Sequence, residues 1–315
     1  MAAASERPAL RTRVAAIVLN YRTPALSASC ARSALAGVDP ERDAVIVVDN
    51  ASGDGSAEIL ERELSSAPRP GVRVLATDRN GGFAFGNNAG IHAVDAEAYL
   101  LLNSDTIVRR DAVDTLYRFL SEHPKAGLVG PRLEWDDGEP QVSGFRFHRP
   151  ITELIAGSAT GPIQRLLSRW DVPLPIGESP RRVEWLSFAA VMIRADVIRA
   201  IGPLDEGYFM YFEDADYCRC AQLAGFEVWQ EPAARVVHLR GQSSPVKRLQ
   251  AARQRLPRYY YASRSRYYRK QFGRVGWLAA NVLWSAGRAV AWLRETAGAK
   301  ERHTVEHQLW DNWRG

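Results

Sequence analysis

Residues 99–105 read Tyr-Leu-Leu-Leu-Asn-Ser-Asp, a short apolar run that stops at a polar cluster. Consecutive apolar residues bounded by polar ones are typical of a buried β-strand. The same pattern lies upstream at residues 14–21 and 44–50, and a further β-branched run covers Val72–Ala76. These four runs predict the core strands of a sheet.

Segments with helical character separate the strands, at residues 24–36, 57–64, 87–96 and 111–122. Strands that alternate with helices at this spacing predict an α/β fold, with a mostly parallel, Rossmann-like sheet and helices on both faces. Ligands of such sheets bind beyond the carboxyl ends of the strands, which is where the polar clusters lie. The fold class therefore predicts where the binding site is.

The charge of the chain is unevenly distributed. The net charge is +5, yet no Asp or Glu occurs from Pro232 to Arg294, a stretch with 14 basic residues, so the remainder carries about −9. This asymmetry indicates an anionic partner: a membrane surface, a diphosphate or a nucleic acid.

The basic C-terminal part also contains an apolar segment, residues 276–293. It is too short and too interrupted to span a membrane. Trp277, Trp284 and Trp292 lie broadly on one side of the predicted helix. We therefore expect an amphipathic helix at the membrane interface; the alternative is a helix packed on the α/β domain.

The N-terminal segment and the cysteines predict a cytoplasmic protein. The segment before the first strand lacks the apolar core of a secretory signal. The three cysteines, Cys30, Cys218 and Cys220, cannot all pair within the chain, so we expect them to be reduced.

Two strand ends carry candidate ligand-binding residues. Asp105 is placed to hold a hard cation such as Mg²⁺ or Mn²⁺ against phosphate oxygens, although Asp is also common in turns. Asp49 can accept hydrogen bonds from a base or a ribose, and Tyr21 can stack on a base.

Later in the chain, Glu213, Asp214 and Asp216 open a predicted helix. Acids in a first turn stabilise the helix dipole, but one of them could be a partly desolvated general base. His238 follows an apolar run and is either a structural histidine or a metal ligand.

Taken in order, these segments resemble the family 2 glycosyltransferases of the GT-A fold. The matching segments are residues 18–21, 47–56, 80–84, 86–90, 101–106, 202–206, 209–216 and His238. The resemblance extends roughly from residue 13 to residue 244. Within the family, the sequence most resembles the bacterial rhamnosyltransferases of cell-wall and O-antigen assembly. It implies a GT-A domain at residues 1–245, with a nucleotide-binding half at about 13–125 and an acceptor half at about 126–245. Residues 246–315 form a basic, aromatic-rich helical extension.

The resemblance also implies roles for individual residues. The expected donor-binding residues are Asn20, Tyr21, Asp49, Asn80, Gly82, Asn87, Asn103 and Ser104. Asp105 and His238 would hold Mg²⁺ or Mn²⁺, with Asn103 in the place of the family's first acidic residue. Asp214 would be the general base. The expected acceptor-binding residues are Trp185, Glu213 and Asp216.

These roles imply an inverting enzyme that moves a sugar, with L-rhamnose from dTDP-rhamnose as the first choice, to a saccharide or a polyprenyl-diphosphate-linked acceptor. The donor would be a dTDP or UDP sugar, and the enzyme would lie on the inner face of the cytoplasmic membrane. Alternatives within the family are a galactofuranosyl- or N-acetylhexosaminyltransferase. A catalytically inactive nucleotide-sugar-binding protein is a remote alternative, and nucleic-acid binding is not expected.

One position departs from the family pattern. Where relatives often read Trp-X-Ser-Gly-Ala, residues 185–189 read Trp-Leu-Ser-Phe-Ala, so Phe188 replaces a glycine. The departure implies either a reshaped pocket or a displaced loop.

Overall fold

The computed structural model describes residues 12–65, 72–240, 246–298 and 304–315. The strands are β1 (Thr12–Asn20), β2 (Ala44–Asp49), β3 (Val72–Ala76), β4 (Ala96–Asn103), β5 (Thr106–Val108), β6 (Ala126–Glu134), β7 (Gly144–Phe145), β8 (Arg181–Arg182), β9 (Trp185–Leu186), β10 (Ala190–Arg194) and β11 (Glu227–His238). The helices are α1 (Pro24–Gly37), α2 (Ser56–Leu64), α3 (Gly82–His92), α4 (Ala112–Glu122), α5 (Pro150–Ser158), α6 (Gly161–Leu166), α7 (Ala195–Ile201), α8 (Glu213–Leu223), α9 (Val246–Ala251), α10 (Arg258–Thr296) and α11 (Gln308–Arg314). Most of the N-terminal segment expected to lack a secretory signal falls outside the described residues.

The main sheet has the strand order β3-β2-β1-β4-β10-β6-β11-β5, with β8 also paired to β11. Strands β1 to β4 are mutually parallel, as predicted. The second half is mixed, because β10 runs antiparallel to both β4 and β6 while β11 is parallel to β6. The predicted α/β fold with a central sheet is therefore confirmed, but parallel pairing accounts for only four of the eight strand pairings of this sheet among the described residues. The strand direction changes beside β4, which carries Asp105 at its end.

The sheet has a core on each face. Ala15 and Ile17 of β1 point to the face covered by α3, α8 and α10, whereas Val14, Ala16 and Val18 point to the face covered by α1, α2 and α4. All five side chains are fully buried. A strand that is buried on both faces has no polar positions, which explains the continuous apolar runs in the sequence.

Helix α3 differs from its prediction. The apolar pattern predicts a helix at residues 87–96, but α3 starts five residues earlier and β4 takes over at residue 96. Gly86 packs against Leu19 and Gly90 against Ile17, and neither glycine has room for a Cβ atom. The helix is thus defined by its close approach to β1 rather than by large apolar side chains.

The predicted helical C-terminal extension is present and packs on the α/β domain. Helix α10 bends at Gly273, whose φ is 69°, and its distal half lies along α5. At Gly157 of α5 an added Cβ would lie 2.3 Å from the backbone oxygen of Trp284, and at Gly287 of α10 it would lie 2.5 Å from that of Leu154. Small residues thus let the two helix backbones meet.

The tryptophans of α10 do not form the single outward face that the sequence predicts. Trp284 is only 4% exposed because it lies at the contact with α5, whereas Trp292 is 57% exposed. Trp277 donates a hydrogen bond to Ser265 and packs edge-on against Trp313. The three tryptophans thus lie broadly on one side of α10, as predicted, but this side is partly buried against α5 and not exposed as a whole. Among the described helices, none combines the length and the apolar character needed to cross a bilayer.

Candidate active site

The main cavity, of about 600 Å³, opens at the carboxyl ends of β1 and β4. Nine of the residues predicted from the sequence line it: Tyr21, Asn80, Gly82, Asn103, Ser104, Trp185, Glu213, Asp214 and His238. They come from elements up to about two hundred residues apart in sequence, so the fold brings these nine predicted residues to one site. Asn20, Asp49, Asn87 and Asp216, also predicted, do not line the cavity.

Asp105 lies in the turn between β4 and β5 and is 1% exposed. Neither of its carboxylate oxygens has a hydrogen-bond partner among the described residues. Buried carboxylate oxygens are rarely left unpaired, because desolvation without a partner is costly. A buried carboxylate without partners is chemically suited to binding a cation.

His238 completes a pair with Asp105. Its Nε2 lies 3.5 Å from Oδ1 of Asp105, and its Nδ1 also lacks a partner among the described residues. Pairing of β11 with β5 holds the two together, since the N–H of Leu239 donates to the backbone oxygen of Asp105 at 2.9 Å. An imidazole nitrogen beside an unpaired carboxylate fits a divalent metal. No third His, Cys, Asp or Glu completes such a cluster within the described ranges, so further ligands would have to come from a bound substrate or water.

Asn20 and Asp49 lie beneath the cavity rather than on its wall. Both are buried, and the Asn20 side-chain amide donates to Asp49 Oδ1 at 2.6 Å. The backbone N–H of Ser52 donates to the other carboxylate oxygen at 3.2 Å. This network fixes the end of β1 against the end of β2.

Asn50, the residue after Asp49, reaches the cavity instead. Its side-chain amide donates to Asn80 Oδ1 at 3.1 Å and to the backbone oxygen of Gly82 at 2.9 Å. Although the sequence motif contains Asn50, we did not predict it as a site residue. The alternation of side chains at a strand end could have indicated that Asp49 and Asn50 face different ways.

Asn87 does not line the cavity. It is fully buried within α3, where its amide donates to the backbone oxygen of Phe83 at 2.9 Å. Gly82, by contrast, adopts a φ of +89° and has no space for a side chain, because a Cβ would lie 2.1 Å from the backbone oxygen of Phe209. This contact joins the start of α3 to the loop that carries the acidic cluster.

Asp214 faces the cavity from the first turn of α8. Burial raises the pKa of its carboxyl group from 3.8 to about 7, even though backbone N–H groups, including those of Ala215 and Phe188, favour the charged form. The Ala215 N–H donates to Asp214 Oδ1 at 2.8 Å. A carboxyl group that titrates near neutral pH is suited to proton transfer.

Glu213 also lines the cavity. Burial and the neighbouring Asp214 charge raise its pKa well above the ordinary value. Its Oε2 has no partner within the described part of the chain. The two residues before it, Tyr211 and Phe212, have φ values of 72° and 68°, so a strained turn presents the two acids to the cavity.

Asp216 points elsewhere. Its buried carboxylate faces α10, where it accepts hydrogen bonds from Lys270 Nζ at 2.6 Å and from the Gln271 side-chain amide at 2.5 Å. These contacts tie α8 to α10, and Asp216 does not line the cavity.

Phe188 forms part of the cavity wall. Its ring is 2% exposed and packs edge-on against Tyr217 at a centroid distance of 6.3 Å. Its backbone N–H is directed at Asp214. The ring therefore shapes the pocket while the loop stays in contact with the acid.

Two basic side chains that the sequence did not single out also line the cavity, Arg240 and Lys247. Burial and the nearby Arg240 charge lower the pKa of Lys247, while Arg240 donates a hydrogen bond to the backbone oxygen of Val142 at 3.1 Å. They flank residues 241–245, which lie outside the described ranges. The sequence Gly-Gln-Ser-Ser at residues 241–244 predicts a loop there. Both belong to the basic C-terminal part of the sequence, and the position of Arg240 two residues after His238 is the signal that could have indicated a site residue.

The parallel half-sheet, the cavity at its strand ends, the Asp–His pair and the buried acid at a helix start define the GT-A class of glycosyltransferase. The sequence matches the family "Glycosyltransferase like family 2" over residues 11–262. Because the match covers most of the chain, the protein belongs to this family, and the predicted resemblance is confirmed.

Two curated relatives are rhamnosyltransferases. An N-acetylglucosaminyl-diphospho-decaprenol L-rhamnosyltransferase of Mycobacterium tuberculosis is 27% identical over 216 residues, which cover 64% of this chain and 67% of that protein. The rhamnosyltransferase WbbL of Escherichia coli is 25% identical over 167 residues, covering 50% of this chain and 60% of that protein.

Solved structures share the fold. The mannosyltransferase PcManGT from Pyrobaculum calidifontis, in complex with GDP-Man and Mn²⁺, superposes with a TM-score of 0.54 at 16% identity, covering 93% of this chain and 81% of that one. GalNAc-T7 with UDP, GalNAc and Mn²⁺ gives a TM-score of 0.56 at 12% identity, covering 92% of this chain and 55% of that one. At these identities the likeness shows the GT-A fold alone.

Proposed function

We propose that this glycosyltransferase transfers L-rhamnose from dTDP-rhamnose to a lipid-linked saccharide, with inversion at the anomeric carbon. The observation that carries the proposal is the acid Asp214, which lies partly buried in the cavity wall with a pKa raised to about 7. An ionised carboxylate there can take the proton of an acceptor hydroxyl as that oxygen attacks the sugar. A single displacement inverts the configuration.

The donor would occupy the side of the cavity formed by β1 and β4. Tyr21, 40% exposed at the rim, offers a ring for the base. Asn80 and the backbone of Gly82 would contact the ribose and diphosphate, and Asn103 and Ser104 the neighbouring part of the donor. The buried pair of Asn20 and Asp49 would support this surface from beneath, through its bond to Ser52.

Asp105 and His238 would hold the Mg²⁺ or Mn²⁺ ion, because Nε2 of His238 lies 3.5 Å from Oδ1 of Asp105 and neither Asp105 oxygen has a hydrogen-bond partner among the described residues. A divalent ion there neutralises the negative charge that develops on the departing diphosphate. Lys247 and Arg240 would add positive charge at the same end of the cavity.

The acceptor would enter beside Trp185 and Glu213. The Trp185 ring stacks on Phe145 at 4.1 Å, and its indole N–H donates to the backbone oxygen of Arg146 at 2.8 Å. The indole is therefore held rigidly at the cavity wall. The choice of rhamnose and of a lipid-linked acceptor is supported by the two rhamnosyltransferase relatives.

We further propose a peripheral contact with the inner face of the cytoplasmic membrane. The distal half of α10 carries an exposed apolar stripe, consisting of Val275, Leu278, Val282, Val290 and Leu293. Their spacing of three, four, eight and three residues keeps them near one side of the helix. Arg274 and Arg294 flank this stripe, so anionic lipid headgroups fit its ends.

A thermal-shift screen of nucleotide-sugars with Mg²⁺ or Mn²⁺ tests the donor assignment. Ligand that binds the folded state raises the unfolding temperature, and dTDP-rhamnose should give a larger rise than dTDP-glucose, UDP-galactofuranose or UDP-N-acetylglucosamine. A larger rise with a UDP sugar would refute the rhamnose donor. NMR of the product's anomeric proton then decides between inversion and retention.

A further inference from the structure

A second cavity, of about 350 Å³, lies where α5, α10 and α11 meet. It shares no lining residue with the main cavity. Its wall includes His148 and Phe212, whose ring centroids are 5.1 Å apart, and His148 lies 5.6 Å from Trp185 of the main cavity. One layer of aromatic side chains therefore separates the two cavities.

A buried ion pair forms part of the second cavity's lining. Arg264 contacts Glu153 at 2.9 Å, and its other nitrogen donates to Asn281 Oδ1 at 2.7 Å. Tyr268 donates to the second Glu153 oxygen at 2.8 Å. A buried ion pair is seldom more stabilising than an apolar replacement, so stability alone is a weak reason for this pair to line a cavity.

Unused hydrogen-bonding capacity faces the same space. Asn312 lines the cavity and is 2% exposed, and its amide nitrogen has no partner among the described residues. His148 is partly buried at the wall, and desolvation lowers its pKa to about 4. Its imidazole is therefore neutral at pH 7 and offers both a donor and an acceptor nitrogen.

Four further aromatic rings line the cavity, those of Trp170, Trp284, Tyr260 and Phe212. The charged groups in the lining are Arg264, Glu153 and Asp171, so positive charge is not in excess. A phosphate or carboxylate ligand would lack a counter-charge there. Flat apolar rings combined with uncharged donors and acceptors fit the apolar faces and hydroxyl groups of a sugar ring.

We propose that this cavity is a second carbohydrate-binding site, which takes one neutral sugar residue, free or at the end of a glycan. Its volume lies at the lower end of the range of roughly 300 to 1,000 Å³ for ligand pockets, which suits a single ring. The proposal does not depend on the reaction assigned to the main cavity.

Saturation-transfer NMR on the full chain tests this site, with L-rhamnose, N-acetylglucosamine and glucose as probes. Titrations in the presence of excess dTDP and Mg²⁺ separate the second cavity from the main one. At least one sugar should show saturation transfer that excess dTDP does not remove. Absence of transfer for all three sugars at tens of millimolar, or its loss on adding dTDP, would overturn the proposal.

Variants locate the bound sugar. Ala156 is exposed at the rim of the second cavity, so Ala156→Trp should block it and abolish the transfer signal. Ala289→Trp is the matched control on α10, at an exposed alanine that lines neither cavity, and it should leave the signal unchanged. Asn312→Leu should weaken binding about tenfold by removing a buried donor. Transfer that survives Ala156→Trp would place the sugar elsewhere and refute the site.

If dTDP itself fails to bind, the proposed donor is wrong, while the Ala156→Trp comparison still decides the second site. The two proposals can therefore fail separately. Circular dichroism of each variant establishes that a lost signal is not a lost fold.

Discussion

Replacing Asp214 with Asn should nearly abolish turnover and at the same time stabilise the protein. The amide keeps the shape of the side chain and an oxygen that can accept the Ala215 N–H, but it cannot accept a proton from the acceptor. Loss of a general base lowers kcat by about a hundred- to ten-thousand-fold. Donor binding should be unaffected, because the donor diphosphate is assigned to the metal at Asp105 and His238, whereas Asp214 is assigned to the acceptor hydroxyl.

The stability gain follows from the raised pKa. A shift from 3.8 to about 7 corresponds to about 4 kcal/mol between the protonated and charged forms. Because the folded-state pKa is the higher one, this carboxyl group stabilises the fold only while protonated. The wild type therefore loses stability as the pH rises from about 4 to about 7. The stability of Asp214→Asn should not fall over this pH range. Above pH 7 its free energy of unfolding should exceed that of the wild type by up to about 4 kcal/mol.

Urea unfolding at pH 4, 6 and 8, with kcat measured across the same range, checks both effects. The wild-type kcat should fall below pH 7 as Asp214 becomes protonated. Glu213→Gln is the matched control: it should also gain stability, since burial raises the Glu213 pKa, but it should keep the acid limb of the kcat profile. Turnover of Asp214→Asn within tenfold of wild type would refute Asp214 as the base. Equal stability of Asp214→Asn and wild type at pH 8 would refute the burial argument.

Three further outcomes are expected. Asp105→Ala should abolish metal-dependent binding of dTDP in calorimetry. If dTDP binds this variant in the presence of Mn²⁺ as it binds the wild type, Asp105 is not a metal ligand. Lys247→Ala should raise KM for the donor about tenfold with a smaller effect on acceptor KM; equal effects on both would contradict a contact with the diphosphate. The double variant Leu278→Glu, Val282→Glu should pellet less with anionic vesicles than wild type, with Leu223→Glu on α8 as control, and unchanged pelleting would exclude the apolar stripe as the membrane contact.

Much of the fold was predictable because the buried strands are apolar on both faces. The continuous apolar runs of β1 and β2, Val14–Leu19 and Val45–Val48, are examples. Helix α3 was misplaced because its packing relies on Gly86 and Gly90, which carry no hydrophobic signal. The burial of Trp284 on α10 was not predictable for a related reason, since the contact with α5 that buries it uses glycine backbones.

The candidate site was predictable as an ordered set of motifs, but not residue by residue. Asn87 and Asp216 belong to those motifs and yet face away from the cavity. Asp49 supports the cavity wall while its neighbour Asn50 forms part of it. Whether a polar side chain meets a ligand or another helix depends on neighbours that are distant in the chain, such as Lys270 for Asp216.

The sequence by itself determined the α/β class, the family and the polar clusters at the strand ends, because strand periodicity and motif order are local properties of the chain. Only the tertiary structure decided how those clusters are arranged in space and how far each is buried. It places Nε2 of His238 3.5 Å from Oδ1 of Asp105, and it desolvates the partly buried Asp214 so that its pKa rises to about 7. It also forms a second cavity between α5, α10 and α11. Burial and proximity arise from packing between distant segments, and no local pattern encodes them.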